Sequence, residues 1–202
     1  MLVFIIPLKS RANSQSWEMV CQLFERSVRS VCQQTSPNFQ AIAVCHDRPD
    51  IQFHHSNLHY RQVDFPIPAR QEGDRNHHEL NYLNQQRVDK GRKVMAGLDY
   101  ARQFEPSHVM IVDADDCVSK SLATFVEQRP QENGWLITSG YRYEEGSNCV
   151  YFKRNFYRMC GTCNIIRFDL MKVPENPEYN RGYGYYKYYY NSKKVLQHSW
   201  QV

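Results

Sequence analysis

His108-Val-Met-Ile-Val-Asp-Ala-Asp-Asp116 decides how this sequence is read. Its first half is an apolar run, too short for a buried helix, and it stops abruptly in acid. The apolar part reads as a strand buried on both faces, the kind that parallel sheets contain. Asp113, Asp115 and Asp116 then fall at the carboxyl end of that strand. In an open α/β sheet, ligands bind in the crevice at those ends. An extended Asp-X-Asp sets alternate side chains to one side. Carboxylate oxygen is what a hard divalent cation such as Mg²⁺ or Mn²⁺ takes. Ala114 is small, so a ligand can approach the backbone there. The same residues also suit an acidic turn before a helix, so the motif takes its weight from its surroundings.

Working outward, Leu2-Val-Phe-Ile-Ile6 is a second buried-strand pattern, ended by Pro7. Ser16 then precedes Trp17, Val20, Phe24, Val28 and Val31, spaced by three, four, four and three residues. Those steps predict an amphipathic helix with Ser16 as its cap and Glu18 favourably placed in its first turn. Thr35-Ser-Pro37 stops it, and Phe39-Gln-Ala-Ile-Ala-Val-Cys45 is the next strand, followed by a turn at His46-Asp47-Arg48-Pro49. The order β-α-β implies parallel strands. Residues 7–11, Asp47 and residues 113–116 thus all leave strand ends toward one crevice.

The remainder is read more coarsely. A weaker strand is expected at 58–65, and residues 66–89 read as a polar excursion with a short helix near 80–86. A helix over 90–104 carries Val94, Leu98 and Ala101 on one face. Ser119 is placed to cap a helix with Leu122, Phe125 and Val126. Strands are expected at 135–139 and 163–168, with a hairpin between 141–143 and 149–152. The tyrosine-rich stretch 179–190 reads first as a segment that packs on something beyond it. The rival reading is an aromatic surface for sugars or lipids.

Bulk properties narrow the function. A chain of 202 residues suits one α/β domain. A net charge of +4 without any dense Lys/Arg block does not describe a nucleic-acid protein. The apolar start, residues 1–8, is far short of the ~20 residues a membrane helix needs. It also lacks the flanks of a signal peptide. The expectation is a cytoplasmic protein without a transmembrane segment, peripheral contact with a membrane remaining open. Seven scattered cysteines do not form a disulfide framework. Cys160-Gly-Thr-Cys163 has no second pair beside it to complete a zinc site, and reads as buried thiols.

Taken in order, these motifs resemble the nucleotide-binding part of a GT-A-fold glycosyltransferase, similar to glycosyltransferase family 2. Phe4-Ile-Ile-Pro7 resembles that family's opening strand. Arg26-Ser-Val-Arg-Ser-Val-Cys-Gln-Gln-Thr35 resembles its first helix, residues 39–47 its second strand, and residues 109–116 its Asp-X-Asp-Asp strand. The resemblance implies a Rossmann-like GT-A fold, a mostly parallel central sheet with flanking helices. It implies one domain over 1–202, with a nucleotide-sugar-binding half at 1–125 and an acceptor-side half at 126–202. The implied activity is metal-dependent transfer of a sugar from a nucleotide-sugar donor, UDP-sugar favoured, to a glycan, lipid or small acceptor.

Residue roles follow from the same resemblance. Pro7 and Lys9 line the nucleotide site, and Asp47 accepts a hydrogen bond from the base. Asp89-Lys-Gly-Arg-Lys93 falls where the family opens a helix, so that Lys90, Arg92, Lys93 and the helix-start N–H groups face the donor. Asp113 and Ala114 lie beside the ribose, and Asp113, Asp115 and a late histidine, His198, hold Mn²⁺ or Mg²⁺. The family's catalytic base, often in a Glu-Asp pair beyond the hairpin, has no counterpart here: Asp169, Glu175 and Glu178 lack a matching context. No catalytic residue is assigned, and the acceptor half reads as shortened. Two rivals follow: a non-catalytic or truncated nucleotide-sugar-binding domain, and a sugar nucleotidyltransferase. The second needs a glycine-rich loop that Pro7-Leu-Lys-Ser-Arg-Ala12 does not offer.

Overall fold

The computed structural model describes residues 1–68 and 75–190, with the backbone alone over 75–79. Eight strands form: β1 (Leu2–Pro7), β2 (Phe39–Cys45), β3 (Leu58–Gln62), β4 (His108–Ile111), β5 (Gly134–Leu136), β6 (Ser139–Tyr143), β7 (Val150–Arg154) and β8 (Asn164–Arg167). Six of them make one sheet in the order β3-β2-β1-β4-β8-β5, and β6 and β7 make a separate hairpin. β1 to β4 are mutually parallel, and β8 runs antiparallel between β4 and β5. The α/β class and the mostly parallel sheet agree with the sequence.

Two-residue periodicity explains why β1 is apolar throughout. Leu2, Phe4 and Ile6 pack with Phe24, Val28 and Val31 of α1 (Trp17–Val31) on one face. Val3 and Ile5 pack with Val94, Leu98 and Ala101 of α2 (Arg75–Ala101) on the other. A strand buried on both faces has no polar position to spare. At ~25 cal/mol per Å², such side chains are each worth roughly 1.5–3 kcal/mol when fully buried. Ser16 caps α1 as its position predicts, its hydroxyl accepting from the Met19 N–H at 3.2 Å. Gly97 lets α2 press onto the sheet, since a Cβ there would lie 2.5 Å from Cγ2 of Ile5.

Several expectations are corrected. The two helices expected around 80–86 and 90–104 are one helix, α2, continued by a short 3-10 turn to Phe104. Gly91 lies inside it, where its missing side chain makes room for Tyr186, which a Cβ would meet at 2.7 Å. Residues 135–139 divide between β5 and β6 instead of forming one strand, and β3 ends at Gln62. The helix after the acidic motif, α3 (Leu122–Glu127), has Ser121 at its cap position, and Ser119 accepts from the Ser121 N–H instead. The tyrosine-rich stretch packs in part on the chain itself. It forms α4 (Tyr183–Tyr189), which packs on α2 and buries Tyr186 completely. Tyr179 stacks on Phe65 with ring centroids 4.7 Å apart. His198 lies outside the described residues.

Candidate functional site

The parallel register sets β1, β2 and β4 side by side with their carboxyl ends on one edge. A cavity of about 300 Å³ opens at that edge. Its walls come from three separate elements. The exit of β1 supplies Pro7, Leu8 and Lys9, and the exit of β4 supplies Asp113, Ala114 and Asp115. α2 supplies Gln86, Asp89, Lys90 and Lys93, a spacing that keeps all four on one helical face. Asn13 and, from α1, Val20 and Leu23 close the apolar side. A larger open groove of about 680 Å³ continues past Lys9 and Asn13 toward the start of α1, with Ser14, Ser16, Ile67 and Tyr82 on its walls.

The structure thus brings together Pro7, Lys9, Lys90, Lys93, Asp113, Ala114 and Asp115 around one cavity. Asp47 is not among the lining residues. Its carboxylate accepts the Arg11 N–H at 2.9 Å and ties the loop after β1 to the end of β2. The idea of a helix start at 89–93 is corrected. These residues sit deep inside α2, so their N–H groups belong to the helix, and only side chains face the cavity. Lys93 is fully buried and donates to the Leu8 carbonyl at 2.9 Å and to Asp89 at 2.7 Å. Burial pulls its ammonium below the ordinary value, against the opposing pull of Asp89. Lys93 therefore pins the loop after β1 onto α2.

The acidic motif has three carboxylates in three different situations. Asp113 forms an ion pair with Lys90. Asp116 accepts from the Thr162 hydroxyl and, at 3.1 Å, from the Cys160 thiol. Asp115 is exposed at the cavity mouth. Partial burial of its carboxyl, and then the negative charges of Asp116 and Asp113, push it above the ordinary value. A cation is what would relieve that crowding. Among the described residues no three His, Cys, Asp or Glu side chains form a complete metal cage. Mg²⁺ does not require one, since it is commonly held by one or two carboxylates, with waters and substrate phosphates filling the other positions. The oxygen donors of Asp113 and Asp115 fit such an ion.

Cys160, Gly161 and Thr162 are the site neighbours that sequence reasoning missed. The Cys-x-x-Cys spacing drew attention to them, though as a zinc or core motif. All cysteines are free, and burial and the adjacent Asp116 push the Cys160 thiol up to about 12. Gln86, Asp89, Val20 and Leu23 were also unassigned, for they become neighbours only when α1 and α2 close on the sheet.

The same topology occurs in known structures. S. aureus TarS 1–349 superposes with a TM-score of 0.53 over 94% of this chain and 55% of its own, at 16% identity. A second structure of S. aureus TarS gives 0.50 over 85% and 29%, at 17% identity. The fold is of the GT-A type. TarS 1–349 in complex with UDP-GlcNAc gives 0.48 over 85% and 46%, at 14% identity. The chain spans about half the length of TarS 1–349. No protein-family model matches it, and no curated protein does. No described helix is long and apolar enough to cross a membrane.

Proposed function

We propose that this chain is the donor-binding domain of a glycosyltransferase that takes a nucleotide-diphosphate sugar, a UDP-sugar first, in the cavity between β1, β4 and α2. One observation carries the reading: the exits of β1 and β4 and the Lys90 face of α2 meet at a single cavity on the carboxyl edge of a GT-A-type sheet. That edge is where open α/β sheets bind ligands. Pro7, Leu8, Val20 and Leu23 offer apolar surface to a base or ribose. Lys9 and Lys90 offer cations to a diphosphate, and Ala114 leaves its backbone open to close approach.

Asp115 and Asp113 are the residues that would hold Mn²⁺ or Mg²⁺. Such an ion supplies charge neutralisation for a departing diphosphate. Lys90, already paired with Asp113, keeps a cation beside the same position and orients that carboxylate. The acceptor, a glycan, lipid or small molecule in this reading, is not addressed by any residue at the cavity. Of the carboxylates beyond the hairpin, Asp169 pairs with Arg167 and Glu178 with Arg181, away from it. That observation favours, as the second reading, a domain that binds nucleotide-sugar without transferring it. A sugar nucleotidyltransferase is disfavoured because the loop after β1 is glycine-free and folds into a short 3-10 turn, Arg11–Asn13.

TarS has been crystallised with UDP-GlcNAc, which makes that compound the first probe. Binding of UDP, UDP-GlcNAc and GDP is measured by calorimetry with and without Mn²⁺, on wild type and on Asp115→Ala. The expected result is Mn²⁺-dependent binding that Asp115→Ala weakens by roughly 100-fold, since even partners that only orient a metal ligand are worth about 10–100-fold. Equal binding without metal, or none to any nucleotide, would sink the proposal. Donor hydrolysis in the same samples separates an enzyme from a binding domain.

A further inference from the structure

β8 returns antiparallel beside β4, pairing Met110 with Ile165 and Val109 with Ile166. The loop entering β8 is thereby carried to the exit of β4, where the acidic motif stands. Three contacts join them. The Asp113 N–H donates to Thr162 Oγ1 at 2.8 Å, and the same hydroxyl donates to Asp116 Oδ2. The Cys160 thiol donates to that oxygen too, and the Thr162 N–H donates to Cys160 Sγ at 3.3 Å. Between them Gly161 passes so close to Asp113 that a Cβ would lie 3.0 Å from Oδ2 and 3.6 Å from Lys90 Nζ. Thr162 itself is buried.

We infer that the Cys160-Gly-Thr-Cys163 loop positions the acidic motif for its cation, with Thr162 as the positioning residue. The inference rests on the donor-and-metal reading above. A hydroxyl that accepts from one backbone N–H and donates to one carboxylate can satisfy both only in a single arrangement. It fixes where Asp113 leaves the strand. It also engages Asp116, so that Asp115 and Asp113 are the carboxylates presented to the cavity. Gly161 keeps this approach close, since a Cβ there would press on the Asp113 carboxylate. The Cys-x-x-Cys of the sequence is thus neither a zinc site nor only core: one thiol is a hydrogen-bond donor to the motif, and Cys163 is buried beneath it.

The test uses Thr162→Val, which keeps shape and removes the hydroxyl, and Thr162→Ser, which restores it. Mn²⁺ alone is titrated into each protein by electron paramagnetic resonance, with thermal melting as the check on folding. Thr162→Val is expected to need about tenfold more Mn²⁺, and Thr162→Ser to return within about threefold of wild type. A folded Thr162→Val with wild-type Mn²⁺ affinity overturns the inference, as does a serine variant no better than valine. Wild type that binds no Mn²⁺ sinks this inference while the calorimetry with UDP decides the donor reading separately, and retained binding in Thr162→Val sinks the loop's role alone. If Thr162→Val does not fold, carbamidomethylation of wild-type Cys160 is followed by peptide mass spectrometry, with the exposed Cys149 as control. Mn²⁺ with UDP is expected to slow Cys160 relative to Cys149, and an unchanged ratio overturns the inference.

Discussion

Phe4 and Phe152 are the same side chain in opposite settings. Phe4 lies in β1 with no exposed surface, edge-on to Phe39 at 6.2 Å and enclosed by α1. Phe152 lies in β7 and is 55% exposed, facing Tyr141 across the hairpin at 5.6 Å. On that same hairpin face Tyr143 and Val150 are also open to solvent. None of the four belongs to either core cluster. The parallel sheet holds its strand exits in fixed register, which is what a site assembled from three elements requires. The hairpin is held by its own ladder and carries no group to the cavity.

The largest effect should come from the first setting. Phe4→Ala removes a fully enclosed ring and is expected to cost about 3–5 kcal/mol, read from urea unfolding. Since a domain of this kind holds only ~5–15 kcal/mol in total, nucleotide binding should fall with the fold. A loss below ~1 kcal/mol would mean that β1 is not the rigid centre described.

His108 tests the far side of the sheet itself, because it begins β4 and its ring lies tilted against Trp135 of β5, centroids 4.9 Å apart. One ring nitrogen meets the Glu132 carbonyl at 2.8 Å. Burial pulls this histidine below its ordinary value near 6.5. Between its folded value and 6.5 the unfolded chain binds the extra proton, so stability is full above 6.5 and is lost as pH falls through the folded value. Melting temperatures measured from pH 7.5 to 5 should fall more steeply for wild type than for His108→Gln. Gln keeps a donor for Glu132 and does not titrate. Parallel curves would remove His108 as the cause.

The smallest effect belongs to the hairpin. Phe152→Ala deletes a cross-strand partner worth about 0.2–1 kcal/mol, and the urea midpoint should barely move. A cost like that of Phe4→Ala would show that the hairpin is part of the core after all, and would erase the contrast.

How far the sequence could be read follows the same division. β1, β2 and β4 were legible as short continuous apolar runs and α1 from its three- and four-residue spacing, with punctuation by Pro7, by Ser16 and by the Asp113 cluster. Their carboxyl ends could be placed on one edge from the β-α-β order alone. The hairpin was legible from alternation and a turn, though not its exposure. The continuity of α2 was not legible, since the polar, mixed-charge stretch before Lys90 carries no apolar periodicity to join it to the helix that follows. The bond from the Arg11 N–H to Asp47 was not legible either, because an Asp after a strand carries no mark of the backbone N–H it will hold.

The sequence by itself determined the class of fold and the acidic end of β4. Both depend on neighbours in the chain: side-chain alternation along a strand, a cap before a helix, carboxylates in succession. Only the tertiary structure decided which of those carboxylates stands free. Lys90 reaches Asp113 across 23 positions, and Thr162 reaches Asp116 across 46. Such contacts arise from helix packing and from the antiparallel return of β8. Their register is set by burial of whole faces rather than by any residue near the motif.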